Sequence, residues 1–147
     1  MLPDRQAALG IKGRGIGRLS TDRALEHGGR RVGIDEVSKP RRGQRMAFVM
    51  DTGMCDAAVD LAKGGDLVVY EATFASVDIH LARHYRHLTA ADAARVARDA
   101  GGRRLVITHF SQRYPDVPVL LDQARTVFDD VMAALDLLRL PVPARLG

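Results

Sequence analysis

The sequence of 147 residues has one cysteine, Cys55, and no tryptophan. A single thiol cannot form a disulfide within the chain, so we expect a reducing compartment, the cytoplasm. No stretch approaches the ~18 uninterrupted apolar residues of a membrane span, and the first residues lack the basic and apolar regions of a secretory signal. We therefore expect no membrane partner. The apolar share of 46% is enough for a folded core.

Positive charge is concentrated in the first third of the chain. Residues 1–46 hold 11 Lys/Arg against 5 Asp/Glu, a net charge of +6, whereas residues 47–147 hold 11 against 13, a net charge of −2. A basic segment beside a near-neutral body favours contact with an anionic partner, nucleic acid first. The alternative is a solvated, partly disordered face.

The basic segment is also rich in glycine. KGRGIGR (12–18) has three glycines in seven residues, which disfavours a helix or a central strand. A short strand-like piece follows at 30–37. We expect residues 1–45 to form a basic, arm-like segment without a core, and residues 46–147 to form the main domain.

From residue 45 onward, apolar strands alternate with helical patterns. The sequence predicts Thr89 as the N-cap of the clearest helix, with Asp92 three residues further on. Residues 131–143 are ambiguous, and the Pro-flanked end favours two short strands. The alternation predicts an α/β layered fold. The predicted strands span 45–51, 66–72 and 104–109, and the predicted helices 55–65, 76–86, 88–102 and 118–128.

Each of the three predicted strands ends on polar side chains. Asp51, Glu71 and His109 stand at these ends, and His87 lies in a loop that could join them. Ligands of open α/β sheets gather at the carboxyl ends of strands. A carboxylate with imidazoles suits zinc, manganese or iron. Alternatively, Asp51 starts a plain turn, Glu71 is a surface carboxylate or helix-start residue, and His87 merely precedes a helix cap.

Four motifs in this order resemble the ribonuclease Z family, the tRNA 3′-endonucleases of the metallo-β-lactamase superfamily. The resemblance covers the C-terminal half of that family and implies the corresponding half of an αββα sandwich. Met50, Tyr70 and Leu88 stand where the family has Gly, His and Ser. The motifs are MDTGMCDAAVDLAKGGD (50–66), YEATF (70–74), HLTAADAARVARDAG (87–101) and LVITHFSQRY (105–114).

The resemblance implies a role for each candidate residue. Asp51 would bridge two zinc ions and His109 would be a terminal ligand of one of them. His87 would be a catalytic residue outside the ligand set, which donates a proton to the leaving oxygen or stabilises the phosphate charge. Glu71 would support His87 or orient the site. The implied reaction is hydrolysis of a phosphodiester in precursor tRNA.

The basic segment also has a counterpart in this family. Residues 7–19 fall where members carry a Gly/Pro-rich arm that grips tRNA, although this chain lacks the prolines there. The resemblance implies that Lys12, Arg14 and Arg18 meet phosphates without reading bases. It also implies a homodimer for the complete enzyme.

One motif of the family is missing. The His-x-His-x-Asp-His motif, which supplies most zinc ligands, does not occur in this sequence. We therefore expect the chain alone to bind zinc poorly and to cleave RNA little or not at all. A gene model that starts late, a separate chain or a dimer could supply the missing half. A late start is favoured because Met1 falls inside the arm-like segment. The alternatives in function are an inactive RNA-binding or dimerisation module and another phosphodiesterase of the superfamily.

Overall fold

The computed structural model describes residues 1–40 and 42–144. These residues fall into two compact units, one ending at Arg42 and one starting at Gly43. Across the described part of the chain, no helix is both long and apolar enough to cross a membrane.

The first unit contains three short helices and a hairpin. The helices are α1 (Pro3–Ala8), α2 (Arg14–Asp22) and α3 (Ile34–Val37), and the strands are β1 (Ala24–His27) and β2 (Arg30–Gly33). The strands pair antiparallel around Gly28 and Gly29. Both glycines have positive φ, 58° and 75°, as two-residue hairpin turns require.

Two predictions for this unit are wrong. Residues 14–22 form a helix despite their glycines, and the unit has its own core, in which Ile11, Leu19 and Val32 are at most 2% exposed. Burial of Leu19 outweighs the roughly 1 kcal/mol that each helical glycine costs relative to alanine. Gly15 also permits close packing, because a Cβ there would lie 3.1 Å from Cγ2 of Ile11.

The second unit is a parallel sheet with helical crossovers, as the sequence predicted. Its four strands pair in the order β3-β4-β5-β6, all parallel. The strands are β3 (Met46–Val49), β4 (Leu67–Glu71), β5 (Leu105–Thr108) and β6 (Val131–Ala133). The helices are α4 (Asp56–Ala62), α5 (Ile79–Tyr85), α6 (Ala90–Asp99) and α7 (Pro118–Arg125), with one 3₁₀ turn at Ser76–Asp78 before α5.

Helices α4, α6 and α7 pack on one face of this sheet. The strands of this parallel sheet follow chain order, and crossover connections between parallel strands are right-handed. The connecting helices therefore lie on the same side of the sheet. The main core lies there, between Tyr70 and Ile107 of the sheet and residues such as Val96 and Leu120 of the helices. The predicted cap of α6 is confirmed, because Thr89 Oγ1 accepts the Asp92 N–H at 3.1 Å.

The opposite face of the sheet is only partly covered. Val69 and Val106 are buried there under Leu140 and Val142, whereas Phe48 on the edge strand β3 is 61% exposed.

The second strand predicted within 131–143 is wrong: within the described residues after β6, the chain has no further strand. Prolines at 141 and 143 lack the N–H groups that a central strand needs.

Candidate metal centre

Four predicted site residues meet at the carboxyl end of the parallel sheet. Asp51 follows β3 after one intervening residue, Glu71 ends β4, and His109 directly follows β5. His87 comes from the loop between α5 and α6. One ligand atom each from Asp51, His87 and His109 lies within 4.8 Å of the other two. The register of adjacent parallel strands, Glu71 opposite Thr108, produces this convergence.

The backbone is left-handed at two of these positions. Asp51 has φ 52° and His109 has φ 57°. This conformation costs a non-glycine residue roughly 1–2 kcal/mol. Both residues stand just beyond a strand, and each carries a side chain that can bind metal. Arg86, directly before His87, is also left-handed (φ 58°) as the C-terminal cap of α5.

Glu71 is the buried centre of the hydrogen-bond network. Its side chain is 0% exposed, so the alternative of a surface carboxylate is wrong. Oε1 accepts the Thr52 N–H at 2.6 Å. Oε2 accepts from the Leu88 N–H at 3.2 Å, the Thr73 hydroxyl at 2.7 Å and Nδ1 of His87 at 2.8 Å. One carboxylate thus ties the loops after β3 and β4 to the His87 loop.

The same network sets the tautomers of both imidazoles. Glu71, as a carboxylate, only accepts, so Nδ1 of His87 carries a proton. The single hydroxyl proton of Thr73 goes to Glu71, so Nδ1 of His109, 2.8 Å from Thr73 Oγ1, must donate to that oxygen. Nε2 of each neutral ring is then left with a free lone pair, which is the form that binds metal or receives a proton.

The carboxylate and imidazole ligand atoms of the cluster are of the types that bind divalent ions, and their spacing partly matches such a site. Zn–N distances of about 2.0–2.1 Å place tetrahedral ligand atoms about 3.3 Å apart. Nε2 of His109 and Oδ1 of Asp51 are 3.5 Å apart, close to this value. The three-residue cluster as a whole is wider, at up to 4.8 Å. Asp51 and His109 therefore have a spacing that suits two ligands of one zinc ion.

The site is open on the side of the ligand pair. The side chains of Asp51 and His109 are 71% and 46% exposed, whereas that of His87 is 23% exposed. An exposed ion pair of this kind contributes little to stability. The structure thus combines a buried, rigid support with accessible ligand atoms.

The loop that follows His109 is anchored to the start of α5. Tyr114 accepts the Ala75 N–H at 2.9 Å and donates to Oδ2 of Asp78 at 2.5 Å. Burial, together with the hydrogen bond to Asp78, raises the pKa of Tyr114 above its usual value. Thr73 and Tyr114 had no assigned role in the sequence, although each lies in a quoted motif, YEATF or LVITHFSQRY.

The three predicted RNA-binding residues lie in the first unit. Lys12 precedes α2, while Arg14 and Arg18 lie on it, and all three are exposed. Arg18 forms a 3.7 Å ion pair with Asp22. Their predicted role stays a prediction.

Fold and site together define a class of protein. Residues 29–110 match the family model for the "Beta-lactamase superfamily domain". The chain belongs to this superfamily. Two relatives named Ribonuclease Z, from Nocardia farcinica and Streptomyces coelicolor, are each 53% identical to it over 99% of its length. The resemblance found in the motifs is thus confirmed. The chain spans about half the length of these relatives, 48% of each.

Solved structures agree with this fold. Human tRNase Z, short form, is 27% identical, with a TM-score of 0.55 over 78% of this chain and 37% of its own. A metallo-beta-lactamase fold protein from Bacillus subtilis, 24% identical, superposes with a TM-score of 0.52 over 56% of this chain and 33% of its own. The predicted fold class, α/β and half of a metallo-β-lactamase-like domain, is confirmed.

Proposed function

We propose that this chain is half of a zinc-dependent phosphodiesterase that processes the 3′ end of precursor tRNA. One observation carries the proposal: Asp51, His87 and His109 converge at the sheet edge around the buried Glu71. The likeness to relatives named Ribonuclease Z over 99% of the chain supports this class of enzyme. A cytoplasmic location and a homodimer of the complete enzyme are parts of the same proposal.

Asp51 and His109 hold the metal in this proposal. The carboxylate of Asp51 and Nε2 of His109 would be the ligand atoms that this chain offers to zinc. Zinc, when bound, lowers the pKa of a coordinated water to near neutral and so supplies a nucleophile for the phosphodiester. The two protein ligands come from loops after β3 and β5, so β4 between them fixes their separation.

His87 acts as the proton donor to the leaving oxygen. Glu71 accepts the Nδ1 proton of His87, and this carboxylate stabilises the imidazolium that forms when Nε2 is also protonated. Transfer of the Nε2 proton neutralises the developing charge on the leaving oxygen. The side chain of His87 is 23% exposed, less than those of Asp51 and His109. This partial exposure suits a group that contacts the substrate once the substrate has displaced water.

The first unit supplies phosphate contacts in this proposal. Lys12, Arg14 and Arg18 are exposed, and the two arginines lie four residues apart on α2, which places them on one helix face. Contacts of this kind position an RNA backbone without selecting its sequence.

The ligand set of this chain is incomplete for two metal ions. Two ions need more donors than one bridging carboxylate and one imidazole, even with His87 as a third. Activity therefore requires the half of the family fold that this chain does not match.

A chimaera tests the proposal. The unmatched half of the Nocardia farcinica relative would be fused to this chain, and cleavage of a precursor tRNA measured with zinc and with chelator. We expect zinc-dependent cleavage by the chimaera and little or none by the chain alone. Asp51→Asn and His109→Ala should each lower the chimaera's rate at least about 100-fold, whereas His80→Ala, an exposed imidazole, should leave it unchanged.

Two results would contradict the proposal. Robust zinc-dependent cleavage by the isolated chain would show that its ligand set is complete. Cleavage by the chimaera that survives Asp51→Asn would show that the sheet-edge cluster is not the site of the chemistry.

A further inference from the structure

A cleft beside the candidate metal centre has a basic lining. Its volume is about 620 Å³, within the ~300–1,000 Å³ of most ligand pockets. One wall is the loop after β3, and the other is formed by α5 and the first turns of α6. His87 lines the cleft as well as belonging to the cluster at the sheet edge. A ligand in the cleft therefore reaches the candidate site of chemistry.

Three arginines line this cleft, and two of them are uncompensated. Arg95 forms a 2.5 Å ion pair with Asp92, which also lines the cleft. In the described part of the chain, Arg83 and Arg86 have no ion pair. The lining therefore keeps a charge of about +2, carried by two exposed guanidinium groups near the end of α5.

The backbone holds one of these arginines in place. Arg86 is the left-handed cap of α5, and its N–H donates back to that helix. The loop after β3 packs on it, since a Cβ on Gly53 would lie 3.6 Å from the Cα of Arg86. Arg86 is thus fixed at its backbone directly before His87, while its side chain is exposed to the cleft.

We propose that this cleft binds the phosphates of the RNA strand next to the bond to be cut, with Arg83 and Arg86 as the phosphate ligands. The inference rests on the proposed function, because it takes RNA as the substrate. Guanidinium groups match phosphate oxygens in a planar, two-point geometry. Neither residue acts on the reacting atoms; each holds the strand so that the scissile phosphate lies against His87.

The test compares two double variants of the 147-residue chain. Arg83→Gln/Arg86→Gln removes the two cleft charges. Arg98→Gln/Arg125→Gln removes two charges from exposed arginines of the same unit outside the cleft. Binding of fluorescein-labelled hexauridylate would be followed by anisotropy over a range of salt concentrations. Excess chelator removes any metal, so the result does not depend on zinc binding or cleavage.

The cleft variant should bind the RNA about tenfold more weakly for each lost phosphate contact. Its salt dependence should fall by about 1.4 in the slope of log K against log salt, because a single strand contributes about 0.7 per phosphate. The control variant should lie within about twofold of the parent chain. In the parent chain, the Nε–Hε NMR resonances of Arg83 and Arg86 should shift on titration with the RNA, which checks the site without any substitution.

Three results would overturn the proposal: no RNA binding by the parent chain, equal losses in both variants, or unshifted Arg83 and Arg86 resonances. Hexaglutamate that competes as well as RNA for the cleft would identify an acidic peptide as its ligand and would equally overturn it. The proposed function is tested separately: it is wrong if the chimaera shows no zinc-dependent cleavage. The RNA-binding comparison of the two double variants can be interpreted whichever result the chimaera gives.

Discussion

Replacing Glu71 with glutamine should destabilise the second unit. The substitution keeps the shape of the side chain, but it exchanges one carboxylate oxygen for an NH₂ group. Oε2 accepts three hydrogen bonds and Oε1 accepts one, from the Thr52 N–H. The glutamine oxygen will therefore take the Oε2 position, and its NH₂ group will face the Thr52 N–H, donor against donor.

The magnitude follows from opposing terms. One donor left unsatisfied in a buried position costs about 1–3 kcal/mol. The three bonds that remain change from charge-assisted to neutral, which costs about 1 kcal/mol more each. Relief from burying a charge offsets part of this sum. We expect a net loss of about 2–4 kcal/mol in the free energy of unfolding.

Urea unfolding followed by circular dichroism measures this change. Asp116→Asn is the matched control, because it also removes one negative charge from the second unit, at an exposed residue. An equal m-value in both variants would show that the same structure unfolds. Two results would contradict this expectation: a free energy of unfolding for Glu71→Gln within about 0.5 kcal/mol of the control's value, or one above that of the parent chain. Either result would show that relief of the buried charge outweighs the lost hydrogen bonds, and the reasoning from hydrogen bonds would then be wrong.

Two further substitutions test individual contacts. Burial, with a smaller contribution from Cys55, raises the pKa of Tyr70 from 10.0 to about 12. The stability that the protonated Tyr70 contributes is therefore complete below pH 10 and is lost as pH rises towards 12. In urea titrations, Tyr70→Phe should lack this alkaline loss of stability, and an unchanged loss would contradict the assignment. Thr73→Val removes the acceptor for Nδ1 of His109. The ¹⁵N chemical shifts of His109 should then report a mixture of tautomers, and the zinc affinity of the chimaera should fall about 10–100-fold. A single Nδ1–H tautomer in the variant would refute the role of Thr73.

The sheet was predictable from the sequence because burial on both faces leaves a clear pattern. The strands around Leu67–Glu71 and Leu105–Thr108 are continuous apolar runs. The helix at 14–22 was not predictable, because local propensity favours neither its start nor its glycines. It depends on packing of Leu19 against the hairpin, a contact between residues that are distant in sequence.

The convergence of the candidate residues was predictable from the sequence, but the hydrogen bonds that join them were not. Strand ends and motif order indicated Asp51, Glu71, His87 and His109. The route from Glu71 through Thr73 to His109 depends on hydroxyl geometry that a sequence pattern does not contain. Arg83 and Arg86 are ordinary surface arginines in the sequence, and only the fold brings them to the same cleft as His87.

The position of Glu71 explains how the candidate site can keep its geometry within this chain. Its four hydrogen bonds all come from this chain, so the orientation of His87, and of His109 through Thr73, needs no residue from another half. The left-handed backbone of Asp51 and His109 costs energy, and local structure must offset that cost. Glu71 supports both loops through Thr52 and Thr73. In the proposed function, the half of the family fold that this chain does not match would add metal ligands to this preformed edge of the sheet.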